Sequence, residues 1–350
     1  MESGDGLLVR VRPQGGRLTG AQAEAIADAA CIFGNGVIEL TGRANLQLRG
    51  VTQATHAPLI AALRRHGLID ADPATESRRN IMVTPFADAG ADVLAADLAA
   101  ALAASDLILP AKFGFAVDPG PRPVLTREPA DIRIEAGPVL RADGMDCAAP
   151  YRGAADALAL ARWFLDRGGA PQGRGRMAAL IARARPPGAT LPAPQPAMPP
   201  QPGRHPQGML LALEFGQIAP LTLCQLGRLA PLRLTPWRML LVEGLRDLPA
   251  IAGLIRDPRD PRLRLRACPG APACPQAHAA TRPLARALAP LIPAGAVLHV
   301  SGCAKGCGWP RAADLTLTAT GEGFDLIRHG RAHDPAALSR LRPDQLPEVL

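Results

Sequence analysis

From Leu7 the chain reads LLVRVR, apolar and charged residues in alternation. That period of two is the mark of a half-buried strand, with Arg10 and Arg12 on one face and Val9 and Val11 on the other. Gly20–Phe33 then changes to a helical pattern, and Thr19 with Gln22 predicts a capping box at its start. VIELTGRANLQLRGV, Val37–Val51, predicts a second strand on which Arg43, Asn45, Gln47 and Arg49 share a face. The order recurs after Gly208. GMLLALEFGQI predicts a strand, Pro220–Leu229 a helix, and LRLTPWRMLLVEGL, Leu232–Leu245, a second strand, with Thr235 and Arg238 standing where Thr41 and Arg43 stood.

The repetition extends further. Arg78–Asp118 predicts a loop, a helix over about Ala91–Ala104 and a strand ending near Lys112; Arg266–Pro310 predicts a loop, a helix and a strand ending near Cys303. Short strands follow each, DIRIE from Asp131 and DLTLT from Asp314. The chain therefore reads as an internal duplication in an α+β fold, with helices layered on sheets. Five segments are expected: 1–68 and 208–258 as strand–helix–strand halves, 69–150 and 259–350 as loop–helix–strand halves, and 151–207 as a joining insert. That insert carries helical patterns at Ala154–Asp166 and Arg176–Ala184. It ends in a Pro-rich run, Arg185–Gly208, expected to be extended.

Composition narrows the classes. Aromatic residues are only 3% of the 350, so Leu, Ala, Val and Ile must build the core. No uncharged apolar run is long enough for a membrane span, and the N-terminus lacks signal-peptide character, so a cytoplasmic protein without a membrane partner is expected. The formal charge is +8, and all the basic side chains except Lys112 and Lys305 are arginine. Arginine forks suit carboxylates and phosphates, although a GC-rich codon bias accounts for the same composition. No basic run with interleaved aromatics is present, and no nucleic-acid partner is expected.

Four of seven cysteines fall in two pairs, Cys268/Cys274 and Cys303/Cys307, spaced C-x5-C and C-x3-C. Two thiolate pairs on loops can converge on one metal centre. The wide first spacing suits a 4Fe–4S cube better than the C-x2–4-C knuckles of structural zinc, and unrelated thiols are the third reading. Cys31, Cys147 and Cys224 read as small core residues.

The quartet, with 28 residues between its pairs, resembles the cluster motif of the siroheme-type nitrite and sulfite reductases, and the resemblance runs from about Leu7 to Ala332. It implies a duplicated fold of two ferredoxin-like half-domains, each followed by a reductase-type α+β domain. It also implies a 4Fe–4S cluster on Cys268, Cys274, Cys303 and Cys307, with Cys307 nearest the tetrapyrrole. Arg12, Arg79 and Lys112 match the family's anion-pocket residues and are the expected catalytic groups. Arg10, Arg43, Asn45, Gln47, Arg49 and Arg238 are the expected binders of tetrapyrrole carboxylates. One departure matters: LPAKFGF has Gly114 where the assimilatory reductases carry a second lysine, which removes a cation and is expected to open space. With RLTPWR and VSGCAKGC, the chain more closely resembles the precorrin-3B synthases of aerobic cobalamin biosynthesis. That resemblance implies an O2-dependent monooxygenase acting on precorrin-3A, with a non-haem iron, reduced nicotinamide acting through an electron donor, a tetrapyrrole substrate in place of siroheme, and a monomeric chain. His278 and His299 are candidate iron ligands and Trp237 a candidate macrocycle contact, each equally readable as structural. A siroheme-dependent reductase and a non-catalytic Fe–S or zinc module are the alternatives.

Overall fold

Two antiparallel sheets of matching design carry the duplication. In the first, Gly6–Val11 pairs with Leu46–Val51, and that strand with Ile38–Leu40. In the second, Gly208–Leu213 pairs with Met239–Glu243, and that strand with Leu232–Leu234. The computed structural model describes residues 2–249 and 251–350. Both first strands end in a single 3-10 turn, Gln14–Gly16 and Glu214–Gly216. Gly15 and Phe215 have φ of 58° and 53° there, so a non-glycine residue repeats the same left-handed step. The chain then crosses over. Arg17–Leu18 joins the second sheet beside Leu232–Arg233, and Gln217–Ile218 joins the first beside Ile38–Glu39. Each repeat therefore supplies an edge strand to the other.

Behind the sheets the two equivalent helices, Gly20–Phe33 and Pro220–Leu229, lie against each other. The approach is close because Gly20 and Gly227 face it: a Cβ on Gly20 would fall 2.6 Å from the Gly227 carbonyl oxygen, and one on Gly227 2.6 Å from Ala23 Cβ. The Thr19–Gln22 capping box forms as its sequence predicts. Val9, Val11, Leu46, Leu48 and Ile38 turn inward onto this layer with Leu211, Leu240 and Val242, making one core shared by both repeats.

The predicted single strands over 37–51 and 232–245 are each broken into a hairpin. A threonine makes the break. Thr41 Oγ1 accepts the N–H groups of Arg43 and Asn45, and Thr235 Oγ1 those of Trp237 and Met239. The tight turn places Ala44 and Arg238 at φ of 53° and 59°. The repeats thus align Arg43 with Trp237 and Ala44 with Arg238, one residue away from the pairing that the sequences suggested. Arg43 consequently sits in a turn, off the strand that carries Gln47 and Arg49.

The remaining halves also match. Ile81–Val83, Phe115–Asp118 and Ile132–Glu135 run parallel, followed by antiparallel Val139–Ala142. Leu265–Ala267, Leu298–Ser301 and Ala313–Thr320 do the same, followed by Gly323–Gly330. Helices Ala89–Ala103 and Thr281–Leu288 pack on them. Lys112 lies in the loop before its strand, not at a strand's end. In the insert, Ala154–Asp166 is helical as predicted, while the second helix shrinks to Met177–Ile181. The Pro-rich run forms no helix; it turns at Pro187–Gly188 and makes two short strand pairings, Leu191–Pro192 and Gly203–His205. No helix among the described residues is long and apolar enough to cross a membrane.

The glycine contact gives a test. Gly227→Val overpacks the helix pair and is expected to cost about 1–3 kcal/mol, read as a lower midpoint in urea. Gly120→Ala, where a Cβ meets nothing within 4 Å, is expected to stay within about 0.5 kcal/mol of the parent. Equal stability of the two variants would show that the close approach does not bind the repeats.

Candidate functional site

The first hairpin sheet presents one apolar face to the core and one polar face outward. Register places Arg10, Gln47, Glu39 and Gln217 side by side across four strands. This polar row connects two chemically different ends.

One end is cationic. Arg12 donates to the Glu76 carboxylate at 3.0 Å and to its carbonyl, while Arg12 Nε is buried with no partner. Arg79 is buried, paired with Asp70 at 2.8 Å and Glu76 at 3.3 Å, and donates to the carbonyl of Arg12. Arg43 reaches over the Lys112 loop and donates to the Lys112 carbonyl at 2.8 Å. Among the described residues no carboxylate lies within ion-pair distance of Arg10, Arg43 or Lys112. The crowding shows in the acidity of the two guanidiniums. Burial lowers the Arg43 guanidinium first and Arg176 second, with Asp131 opposing and Arg10 and Arg12 adding. Burial and then Arg12 lower Arg10. Positive charge has been gathered here without a matching counter-charge.

Sequence patterning missed two members of this end. Arg176, from the insert, binds the fully buried Asp131 at 2.9 Å, and Asp131 also accepts the N–H groups of Gly114 and Met177. Neither residue stands in a motif; only the fold brings the insert beside the first sheet. Gly114 itself is packed, not open as expected. A Cβ there would fall 2.7 Å from Asn80 Nδ2 and 3.2 Å from the Asn80 carbonyl oxygen, so a long side chain at 114 requires Asn80 to move.

The other end holds the cysteines. Cys268 follows the strand Leu265–Ala267, and Cys303 closely follows Leu298–Ser301, its parallel neighbour. Parallel pairing therefore delivers one cysteine of each pair to the same sheet end. The loops meet tightly: a Cβ on Gly308 would fall 2.6 Å from the Cys268 nitrogen, and one on Gly302 2.6 Å from Ala277 Cβ. Cys268 Sγ accepts the Gly302 N–H at 3.2 Å. As free thiols Cys268 and Cys307 act on one another. The neighbouring Cys307 thiol holds Cys268 down against burial, with the N–H groups of Gly302 and Gly270 assisting. Cys307 is pushed up by Cys268, then by burial, with Cys303 and Cys274 adding. Four thiolates gathered at one place require a multiply charged cation. Among the described residues no group of three or more His, Cys, Asp or Glu is arranged to hold a single metal ion. The donor set suits a cluster with separated corners better than one tetrahedral ion.

Arg49 and Arg238 belong to this end. Arg49 pairs with Asp5 at 2.8 Å and Glu39 at 3.3 Å, and donates to Ser3 Oγ and to the carbonyl of Ala273, the residue before Cys274. It clamps the N-terminal segment onto the cysteine loop. Arg238 donates to the Gly308 carbonyl, and its ionic neighbours are Arg282, Glu39 and Cys307. Asn45 is buried beside the Thr41 turn. Trp237 packs against the core and donates Nε1 to Glu128. His299 is fully buried, and His278 donates its backbone N–H to the Gly302 carbonyl. Cys31 is exposed, not the core residue expected, while Cys147 and Cys224 are half-buried. A cavity of about 930 Å3 at the start of helix Ala89–Ala103 includes none of the residues of either end.

Comparison with known proteins bears on the fold and the family. The family of nitrite/sulfite reductase ferredoxin-like half domains matches residues 1–66. A solved structure of the Mycobacterium tuberculosis NirA protein superposes with a TM-score of 0.62 over 97% of this chain and 79% of its own, at 16% identity. The fold is thus that of the nitrite and sulfite reductase-like proteins. Within them, a precorrin-3B synthase of Sinorhizobium sp is 31% identical over 95% of this chain and 82% of its own length. The chain belongs to the precorrin-3B synthase family.

The Arg49 clamp is testable. Its side chain is only 6% exposed, and Arg49→Ala strands Asp5 beside the cysteine loop. A loss of about 3 kcal/mol is expected from breaking a buried pair, measured by urea denaturation. Arg259→Ala, at an exposed pair, is expected to cost less than about 1 kcal/mol; losses of the same size would mean the clamp contributes no more than a surface pair.

Proposed function

We propose that the chain is an O2-dependent monooxygenase that converts precorrin-3A to precorrin-3B, hydroxylating C-20 and closing a γ-lactone from the ring A acetate. The observation that carries this reading is the polar sheet face joining two ends. One end holds Arg10 and Arg43, with no carboxylate at ion-pair distance among the described residues, and the other holds four cysteines, three of which act on Cys307. A polycarboxylated macrocycle matches both features, since its carboxylates answer the guanidiniums and its ring spans the row between them. The name of the 31% identical relative supports the same reaction.

Each group then has a task. Arg10 and Arg43 fix substrate carboxylates through charge-assisted forks, which sets orientation as well as affinity. Lys112, exposed beside Arg43, extends that cationic edge. Arg12 and Arg79, bound to Glu76 and Asp70, hold the floor of the site in shape. Cys268, Cys274, Cys303 and Cys307 would hold a 4Fe–4S cluster, which supplies electrons one at a time. Two electrons, passed on from reduced nicotinamide through a donor protein, balance the reaction as one oxygen atom enters the macrocycle and the other leaves as water. Among the described residues no group of three His, Cys, Asp or Glu side chains is arranged for a separate mononuclear iron. The packing of Gly114 against Asn80 argues against a second lysine and so against sulfite or nitrite as substrate.

Two experiments test the proposal. Ser at any of Cys268, Cys274, Cys303 or Cys307 should remove most bound iron and the brown colour of anaerobically purified protein, while Ser at Cys31 or Cys224 should spare both. Equal loss from the two sets refutes the cluster.

The second experiment titrates variants with precorrin-3A. Arg10→Ala and Arg43→Ala should each weaken binding about ten- to hundredfold, the loss of about 1.5–3 kcal/mol for a charge-assisted bond. Iron content should be unchanged, and Arg43→Lys should recover only part of the affinity. Parental affinity in both alanine variants would sink the carboxylate-binding role. Sustained reduction of sulfite or nitrite by the parent protein would sink the reaction.

A further inference from the structure

Four guanidiniums surround the cysteine pocket, and only two carboxylates answer them. Asp5 is taken by Arg49, and Glu39 is shared by Arg282 at 2.6 Å and Arg49 at 3.3 Å. Arg238 and Arg266 have no carboxylate within ion-pair distance among the described residues. Both are fixed in place nonetheless. Arg238 donates to the carbonyl of Gly308, next to Cys307, at 3.3 Å. On its other side Gly216 leaves room only for a hydrogen, since a Cβ there would fall 3.0 Å from Arg238 Cδ. Arg266 donates to the carbonyls of Leu263 and Leu265 and lies 4.8 Å above the Trp309 ring, two residues beyond Cys307. Carbonyls and ring faces orient a guanidinium, but they do not neutralise it.

His299 lies beside the same cations. It stands in register with Arg266 on the adjacent strand, fully buried, with neither ring nitrogen partnered. Burial first, then Arg238 and Arg266, hold its pKa down to about 4. The pocket calls for negative charge, because buried unpaired cations are costly. A 4Fe–4S core carried by four thiolates is doubly negative overall and gains a further negative charge on reduction. The surplus guanidiniums oppose that charge and favour the reduced state.

We propose that Arg238 and Arg266 are electrostatic partners of the cluster at Cys268, Cys274, Cys303 and Cys307, and raise its reduction potential so that an arriving electron is held beside the tetrapyrrole face. The step is a one-electron transfer from a reduced donor, such as a flavin or iron–sulfur protein; no bond forms or breaks. The inference rests on the cluster reading above and assigns to its potential two residues outside the cysteine ligands, giving Arg238 a task other than the carboxylate binding expected from its sequence.

The test uses the anaerobically purified holoenzyme and the variants Arg238→Gln and Arg266→Gln. Iron content and visible spectrum are measured first. The potential is then read by dithionite titration with mediators, followed by electron paramagnetic resonance. Each variant should keep its iron and become about tenfold harder to reduce, about 59 mV more negative for a one-electron couple. Arg238→Lys should restore most of the shift, and Arg259→Gln, exposed and remote from the pocket's pairs, should show none. If the parent protein holds no cluster iron, the cluster reading fails and this inference falls with it. If cluster iron is present and both glutamine variants keep the parental potential, this inference alone is overturned. Unchanged potentials with weaker precorrin-3A binding likewise overturn it, by making the two arginines substrate ligands. Should the glutamine variants lose the cluster, Arg238→Lys must retain it; loss there too refutes a role for charge.

Discussion

The exchange of edge strands between the two repeats is the constraint on which the rest of the structure depends. Arg17–Leu18 and Gln217–Ile218 each complete the other repeat's sheet. Separating the repeats would expose two strand edges and open the helix contact at Gly20 and Gly227. The exchange also fixes the site. Gln217, from the second repeat, stands at the end of the row begun by Arg10 in the first, where its side chain donates to Glu39. Glu39 in turn receives Arg282 from the cysteine-bearing half. The polar face is therefore continuous across the duplication, because the backbone is.

Several buried arginines that hold the fold have carboxylate partners, as in Arg79 with Asp70, Arg233 with Asp92 and Glu243, and Arg141 with Glu135. Arg10, Arg43, Arg238 and Arg266 have none at ion-pair distance among the described residues; carbonyls orient Arg43, Arg238 and Arg266, and the Trp309 ring also orients Arg266. Desolvated cations are unfavourable unless an anion arrives, and the proposed ligand and cluster contacts rest on these arginines. The two repeats have diverged along this line: the Thr41 turn carries the unpaired cation Arg43, and the Thr235 turn puts Trp237 in its place and turns Arg238 toward the sulfurs.

Several features were legible in the chain itself. The alternation of Val9 and Val11 with Arg10 and Arg12 determined which face of the first sheet is core and which is polar, because strand side chains alternate strictly. The capping box at Thr19 fixed the first helix start. The spacing of Cys268, Cys274, Cys303 and Cys307 identified the metal-binding candidates, since short loops oblige the members of each pair to be neighbours.

Other features had no local signal. Composition could not separate arginines that hold the fold, such as Arg49 and Arg79, from those left without a partner, because Asp5 is far from Arg49 in sequence and Asp70 reaches Arg79 only where the chain folds back. The hairpin breaks at Thr41 and Thr235 were hidden within apolar alternation that continues on both sides of the turn. Arg176 and Arg282 stand in no motif and enter the site only through long-range packing, Arg176 onto Asp131 and Arg282 onto Glu39. Local patterning is set by period and propensity, which a chain carries residue by residue. Pairing of charges depends on which segments meet, and here the crossover of Arg17–Leu18 and Gln217–Ile218 and the parallel register of Leu265–Ala267 with Leu298–Val300 decided that.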